Sequence, residues 1–182
     1  YALGARAKQL RDNLGELEKA TPSDMLAVQL DDKAKFMSRW QALLLHVLSP
    51  EVVAADPRRG ELRWLVEQWN ERASTDAVGY NLVRAWRAHM LQQLSNLLLQ
   101  QCGKDYPNFN GRQLELEDQL WILLKEKPRH LLDPSMHTWE KFMLDAADYV
   151  VIGGKEHGGM AEWSWGKTNT ARITHAMSGA LP

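Results

Sequence analysis

Apolar residues recur at three- and four-residue spacing along most of this chain, a rhythm that predicts a succession of amphipathic helices. Leu3, Leu10, Leu14 and Leu17 share one face and predict a helix over residues 2–19. Thr21-Pro22-Ser23-Asp24 then reads as a helix start. It offers a hydroxyl cap, a proline where its missing N–H costs nothing, and an acid in the first turn. Met25, Leu26 and Val28 follow, and Asp31-Asp32 either interrupts that helix or caps the next. Residues 33–48 place Phe36, Met37, Trp40, Leu43, Leu44, Val47 and Leu48 on one broad face. Ser49-Pro50-Glu51 and Asp56-Pro57 repeat the cap-plus-proline signal, the second opening a helix with Leu62, Leu65, Val66 and Trp69 inward.

Ser74-Thr75-Asp76 starts the longest periodic stretch, residues 76–102, with Gly103 as its expected stop. A polar loop over 104–112 precedes a helix over 114–126 that Lys127-Pro128 ends. Asp133-Pro134-Ser135 begins the last clear helix, which buries Trp139, Phe142, Met143, Ala146, Tyr149 and Val150 before Gly153-Gly154. There the rhythm fails. Trp163 and Trp165 alternate around Ser164, which fits a short strand over 163–175 or a loop packed onto a partner. The expected fold is mainly α: an irregular multi-helix domain over 1–160 and a distinct return segment over 161–182, with no fixed-period repeat.

Composition narrows the function classes. The 182 residues are 45% hydrophobic and include eight Trp, enough for one sizeable core. Lys and Arg total 22 against 23 Asp and Glu, so a general nucleic-acid surface is not expected. A single cysteine, Cys102, excludes an internal disulfide and a multi-cysteine metal site. No stretch is apolar for the roughly 18 residues that suggest a membrane span. Tyr1-Ala2-Leu3-Gly4 carries no initiator methionine or signal peptide, and the chain reads as a soluble piece of something longer.

Candidate chemistry is sparse. The six histidines form no H-E-x-x-H pair, which leaves a zinc site without support. His46, between Leu45 and Val47, reads as a core histidine, and His157 as a solvated loop residue. Gly153-Gly154-Lys155 and Gly166-Lys167-Thr168 lack the spacing of a phosphate-cradling loop. Glu115, Glu117 and Asp118 read as a solvated helix face. The tryptophans at 40, 64, 69, 86, 121 and 139 sit at core-facing positions for the most part. Arg6 is by default a surface residue, with no obvious carbonyl or anionic partner in the chain.

Five segments in order nevertheless carry a resemblance. They are Arg6–Leu14, Met25-Leu26-Ala27-Val28-Gln29-Leu30-Asp31, Ser74–Trp86, Thr138–Leu144, and Trp165-Gly166-Lys167-Thr168-Asn169-Thr170-Ala171-Arg172-Ile173-Thr174-His175. Together they resemble the β subunit of the penicillin acylase (penicillin amidase) family of N-terminal-nucleophile hydrolases. Ala176-Met177 stands where that family usually has Pro-Leu after the histidine. The resemblance implies a helical excursion from an αββα core lying outside this chain. It implies a self-processed precursor, a Ser or Cys nucleophile upstream of Arg6, and an acyl-enzyme route for cleaving amides. It also assigns Arg6 a supporting catalytic role and makes His175 a structural marker. The partners would be the remainder of the same precursor (its α subunit and the rest of the β subunit) and a small-molecule amide substrate, structural calcium would bind outside this segment, no cofactor would sit in this chain, and the location would be periplasmic or secreted. The rival reading is a stand-alone helical interaction module that docks through Trp163 and Trp165.

Overall fold

The computed structural model of the chain describes residues 4–106, 108–109, 114, 116–132 and 136–171. Over these the fold is mainly α. The helices are α1 (Ala5–Gly15), α2 (Pro22–Leu30), α3 (Ser38–Val47), α4 (Pro50–Ala55), α5 (Pro57–Glu67), α6 (Val78–Asp105), α7 (Glu117–Glu126), α8 (Trp139–Gly153) and α9 (Trp165–Thr168). Among the described residues there is no sheet, and the one extended pairing is an isolated bridge between Lys33 and Arg72.

The start signals act locally, as their chemistry dictates. Thr21 and Asp24 form a reciprocal capping box at α2, with the Thr21 hydroxyl accepting from the Asp24 N–H and the Asp24 carboxylate accepting from the Thr21 N–H. Ser49 caps α4, Asp56 caps α5, and each is followed by proline in the first turn. Thr138 caps α8; the expected start at Asp133-Pro134-Ser135 falls outside the described residues.

A bundle of α3, α5, α6 and α8 holds the core. Trp40, Leu44, Leu62, Val66, Leu82, Trp86, Met90, Met143 and Val150 are all buried in it. The buried indoles satisfy their N–H groups: Trp86 donates to the Met143 carbonyl at 3.1 Å and Trp40 to the Glu117 carboxylate at 2.9 Å. Gly79 lets α6 cross α5 closely, since a Cβ there would lie 2.5 Å from the Leu65 carbonyl oxygen.

Several sequence expectations are corrected. The helix expected over 33–48 splits into a 3₁₀ turn at Lys35–Met37 and α3. Gly103 does not stop α6, which continues to Asp105. Nothing lies within 4 Å of where a Gly103 Cβ would stand, so neither packing nor backbone conformation demands an end there. Tyr149 and Trp64 are more than half exposed, and His46 is exposed rather than set in the core. The strand expected from residue 163 is absent as far as Ala171, beyond which the chain is not described. Residues 165–168 instead form a helical turn, because the Trp165 and Gly166 N–H groups bond to the Ala77 and Thr75 carbonyls ahead of α6. Gly166 is required for that approach: a Cβ would meet the Thr75 carbonyl oxygen at 2.6 Å.

Candidate functional site

The site begins on α1, whose packing is polar. Arg6, Gln9 and Asn13 are spaced by three and four residues and so share one face. Gln9, not a leucine, is the buried residue of this helix, and Leu14 is 41% exposed. The face closes on the end of α2. Arg6 Nη1 donates to the Asp31 carbonyl at 2.7 Å, and Nη2 donates to the Val28 and Gln29 carbonyls at 3.1 and 3.3 Å. These are among the carbonyls a helix leaves unpaired at its C-terminus, where the helix dipole also favours a cation. The chain therefore does supply Arg6 with carbonyl partners, contrary to the reading from sequence.

The Asp31 side chain completes the clasp. Its carboxylate accepts from Gln9 Nε2 at 2.5 Å, Asn13 Nδ2 at 2.8 Å and the Lys33 N–H at 3.1 Å, with Arg6 Nη1 at 3.9 Å. Partial burial alone would raise its pKa. The donors from Gln9, Asn13 and Lys33, with the Arg6 charge, outweigh burial and hold it down to about 2. Asp31 is thus ionised at any ordinary pH, and it fixes α1 and its arginine against α2.

Arg6 stands at the wall of a cleft of about 490 Å³ formed by α1, residues 33–37, α6 and the start of α7. Among the described residues four cationic side chains line it: Arg6, Lys33, Arg84 and Arg87. Glu117 is the acid in the wall among the described residues, and it is buried at 5% exposure. Its carboxylate bonds Arg87, accepts from Trp40 Nε1, and pairs with Arg39 Nη2 at 3.1 Å. Arg39 is itself held face-on between Phe36 and Trp121, its guanidinium carbon 4.5 and 4.6 Å from the ring centres. The solvated acidic face expected over 115–118 is corrected accordingly at Glu117; Asp118 is exposed, and Glu115 lies outside the described residues. A signal was present: Glu117, Leu120 and Leu124 have the spacing of one helix face, so this acid occupies a position of the buried stripe.

The other candidates are spent on packing. Trp163 stacks on His157 at 4.3 Å and donates to the Thr168 hydroxyl at 3.1 Å. Trp165 packs edge-on to Tyr80, and the Arg84 guanidinium lies 4.6 Å from the indole ring centre. Neither indole forms an open docking surface. Cys102 is half-buried, and His175 lies outside the described residues. Among the described residues no three His, Cys, Asp or Glu side chains gather as metal ligands would. No helix among them is long and apolar enough to cross a membrane.

The family model described as penicillin amidase matches residues 1–182, the whole chain. No curated protein and no solved structure matches it.

Proposed function

Because this chain belongs to the penicillin amidase family, we propose that it is the arginine-bearing helical part of an amide hydrolase working through an acyl-enzyme. The observation that carries the reading is the family match over all of residues 1–182; the assignment of the family's supporting arginine to Arg6 is part of the proposal. In that reaction the N-terminal Ser or Cys, supplied from sequence upstream of Arg6, attacks the amide carbonyl carbon. Its proton passes to its own α-amino group and then to the departing amine. Water cleaves the resulting ester or thioester and releases the acid. The groups of this chain neither attack nor accept the proton.

The role proposed for Arg6 is to position these groups by charge. An arginine suits that task if its guanidinium is fixed but not neutralised. The partners of Arg6 support this: three carbonyl oxygens hold one edge, while the nearest carboxylate, Asp31, stands back at 3.9 Å. The side chain remains 46% exposed at the cleft. A purely structural reading has one observation in its favour. Arg63 caps the end of α3 in the same manner, donating to the Leu45 and Leu48 carbonyls at 2.9 and 2.5 Å. Arg6 differs in lining the cleft.

The proposal extends to the whole enzyme. The substrate is a linear amide with an acyl side chain, such as a β-lactam side-chain amide or an acyl-homoserine lactone. The partner is the remainder of a self-processed precursor, whose structural calcium and nucleophile lie outside residues 1–182. Residues 161–182 lead from the helical domain over 1–160 back toward a β-rich core, and the location is periplasmic or secreted. Arg6→Ala in the full-length protein, assayed on a chromogenic amide, is expected to lower kcat in an enzyme that still folds, with only the local loosening at the end of α2 that removal of its three carbonyl contacts entails. Unchanged turnover would leave Arg6 as a helix cap only.

A further inference from the structure

At the junction of α1 and α2 three donors converge on one carboxylate. Asp31 Oδ2 accepts from Gln9 Nε2 and Asn13 Nδ2, and Oδ1 accepts from the Lys33 N–H. Both oxygens are therefore engaged before Arg6 is counted. The main-chain carbonyl of the same residue accepts from Arg6 Nη1 at 2.7 Å. Asp31 thus reaches the guanidinium twice: through its backbone as a hydrogen-bond acceptor, and through its side chain as a charge 3.9 Å away.

Arginines with structural work are held differently in this chain. Arg63, which caps α3, also forms an ion pair with Glu67 at 2.8 Å. Arg59 reaches the Val52 carbonyl and grips Asp148 through two nitrogens at 2.8 and 2.7 Å. In both, a carboxylate takes the guanidinium N–H directly. At Arg6 the carboxylate is turned aside by Gln9 and Asn13, and the guanidinium stays half-exposed. Because Arg6, Gln9 and Asn13 share one face of α1, the two amides are rigidly linked to the turn that carries the arginine. A shift of that turn breaks the contacts of all three residues together.

We infer that Asp31 is a positioning residue for the amide-cleaving reaction: clamped by Gln9, Asn13 and the Lys33 N–H, it sets where the Arg6 guanidinium stands without taking its hydrogen bonds. The inference rests on the proposed reading of Arg6 as the supporting arginine of that reaction. Asp31 is not part of the cleft wall, so it acts through Arg6 and touches no reacting atom. A charge that steadies a developing oxyanion loses its effect when displaced by a fraction of its contact distance, so placement matters as much as charge.

The test is a double-mutant cycle in the full-length enzyme on a chromogenic amide. Active sites are counted by covalent titration with phenylmethanesulfonyl fluoride, so that kcat is expressed per competent nucleophile. Asp31→Asn is expected to lower kcat about tenfold and to change KM less than about twofold. Once Arg6 is replaced by alanine, the same change is expected to alter kcat by less than about twofold. Asn13→Ala removes one of the two amides; it is expected to lower kcat by a smaller factor, again only where Arg6 is present, and it carries the test if Asp31→Asn does not fold. Thr21→Ala is the control: it uncaps the other end of α2 without touching Arg6, and kcat per site is expected to hold. The inference is overturned if Asp31→Asn reduces the number of titratable sites while kcat per site stays the same. It is overturned as well if the loss persists beside Arg6→Ala, or if Thr21→Ala costs as much. A loss on Arg6→Ala with none on Asp31→Asn overturns it and leaves the amidase reading standing. Absence of amide turnover, or turnover indifferent to Arg6→Ala, overturns the reading of Arg6 and this inference with it.

Discussion

Asp31→Asn tests whether the junction of α1 and α2 is held by charge-assisted hydrogen bonds. The Asp31 carboxyl group ionises at about 2 in the folded chain against an ordinary value of 3.8. At roughly 1.4 kcal/mol per unit, that difference contributes about 2 kcal/mol to folding when the group is ionised in both states. A depressed carboxylate contributes fully above its unfolded value and loses that contribution as pH falls through the folded one. The stabilisation is therefore complete above about pH 5, roughly half gone at pH 3, and nearly absent below pH 2. Asparagine keeps the shape but not the charge. It also turns an N–H₂ toward either the Gln9 and Asn13 amides or the Lys33 N–H, where the carboxylate accepted on both oxygens.

The effect is expected to be local, because Gln9 is the buried residue of α1 and little apolar surface ties that helix down. Amide hydrogen exchange along residues 5–15 is therefore the appropriate assay. Wild type and variant are compared at the same pH, so that intrinsic exchange rates cancel. Other acid-sensitive groups cancel too, among them Asp56, which the Arg58 side chain and N–H hold down to about 2. Near neutrality the variant is expected to exchange roughly 30-fold faster across α1, and the two proteins to converge as pH falls toward 2. A ratio that does not change between pH 7 and pH 3, or one near unity throughout, would refute the reasoning.

Three further outcomes follow from the same structure. Glu117→Gln leaves Arg39 and Arg87 facing each other without their shared carboxylate, and urea denaturation is expected to show a loss of about 3–5 kcal/mol. Gly79→Ala drives a methyl group toward the Leu65 carbonyl and the Trp69 Cβ, which cannot rotate away, and should lower stability by about 1–3 kcal/mol in the same assay. His89 stacks on Tyr149 with ring centres 3.8 Å apart, and burial lowers its pKa from 6.5. Its neutral form stabilises the fold above that value, a contribution lost as pH falls below it. Tyr149→Ala is expected to move the His89 titration, followed by NMR, back up toward 6.5; an unmoved titration would assign the burial to other neighbours.

What was legible in this sequence was local. A capping side-chain oxygen and a following proline act within one turn, joined at α2 by an acid three residues on, so the starts of α2, α4 and α5 stand where their residues placed them. The buried stripes of α3, α5 and α8 were legible for a related reason: apolar burial is non-directional, and a helix face that is apolar will find some core. Polar pairs are different. Arg6 and Asp31 are separated by 25 positions and Trp40 and Glu117 by 77, and neither residue of such a pair reveals its partner. The Arg6, Gln9 and Asn13 stripe was visible only as the polar side of an expected leucine helix. That side is the one that packs, because Asp31 offers more to three hydrogen-bond donors than solvent does.

The ends of the helices sharpen the distinction. A helix C-terminus must satisfy its last carbonyls, and glycine in a left-handed conformation is the local means of doing so. Neither α2 nor α3 uses it: Asp31 follows the first and Leu48 the second. Their carbonyls are taken instead by guanidinium groups from elsewhere in the chain, Arg6 for α2 and Arg63 for α3. Gly103, where the local rule expected a stop, lies inside α6. A long-range cap makes the end of one helix depend on the placement of another. For α2 that dependence runs through the arginine at the cleft. Any shift of α1 that withdraws Arg6 also uncaps α2, so the position of Arg6 and the end of α2 are set together by Asp31.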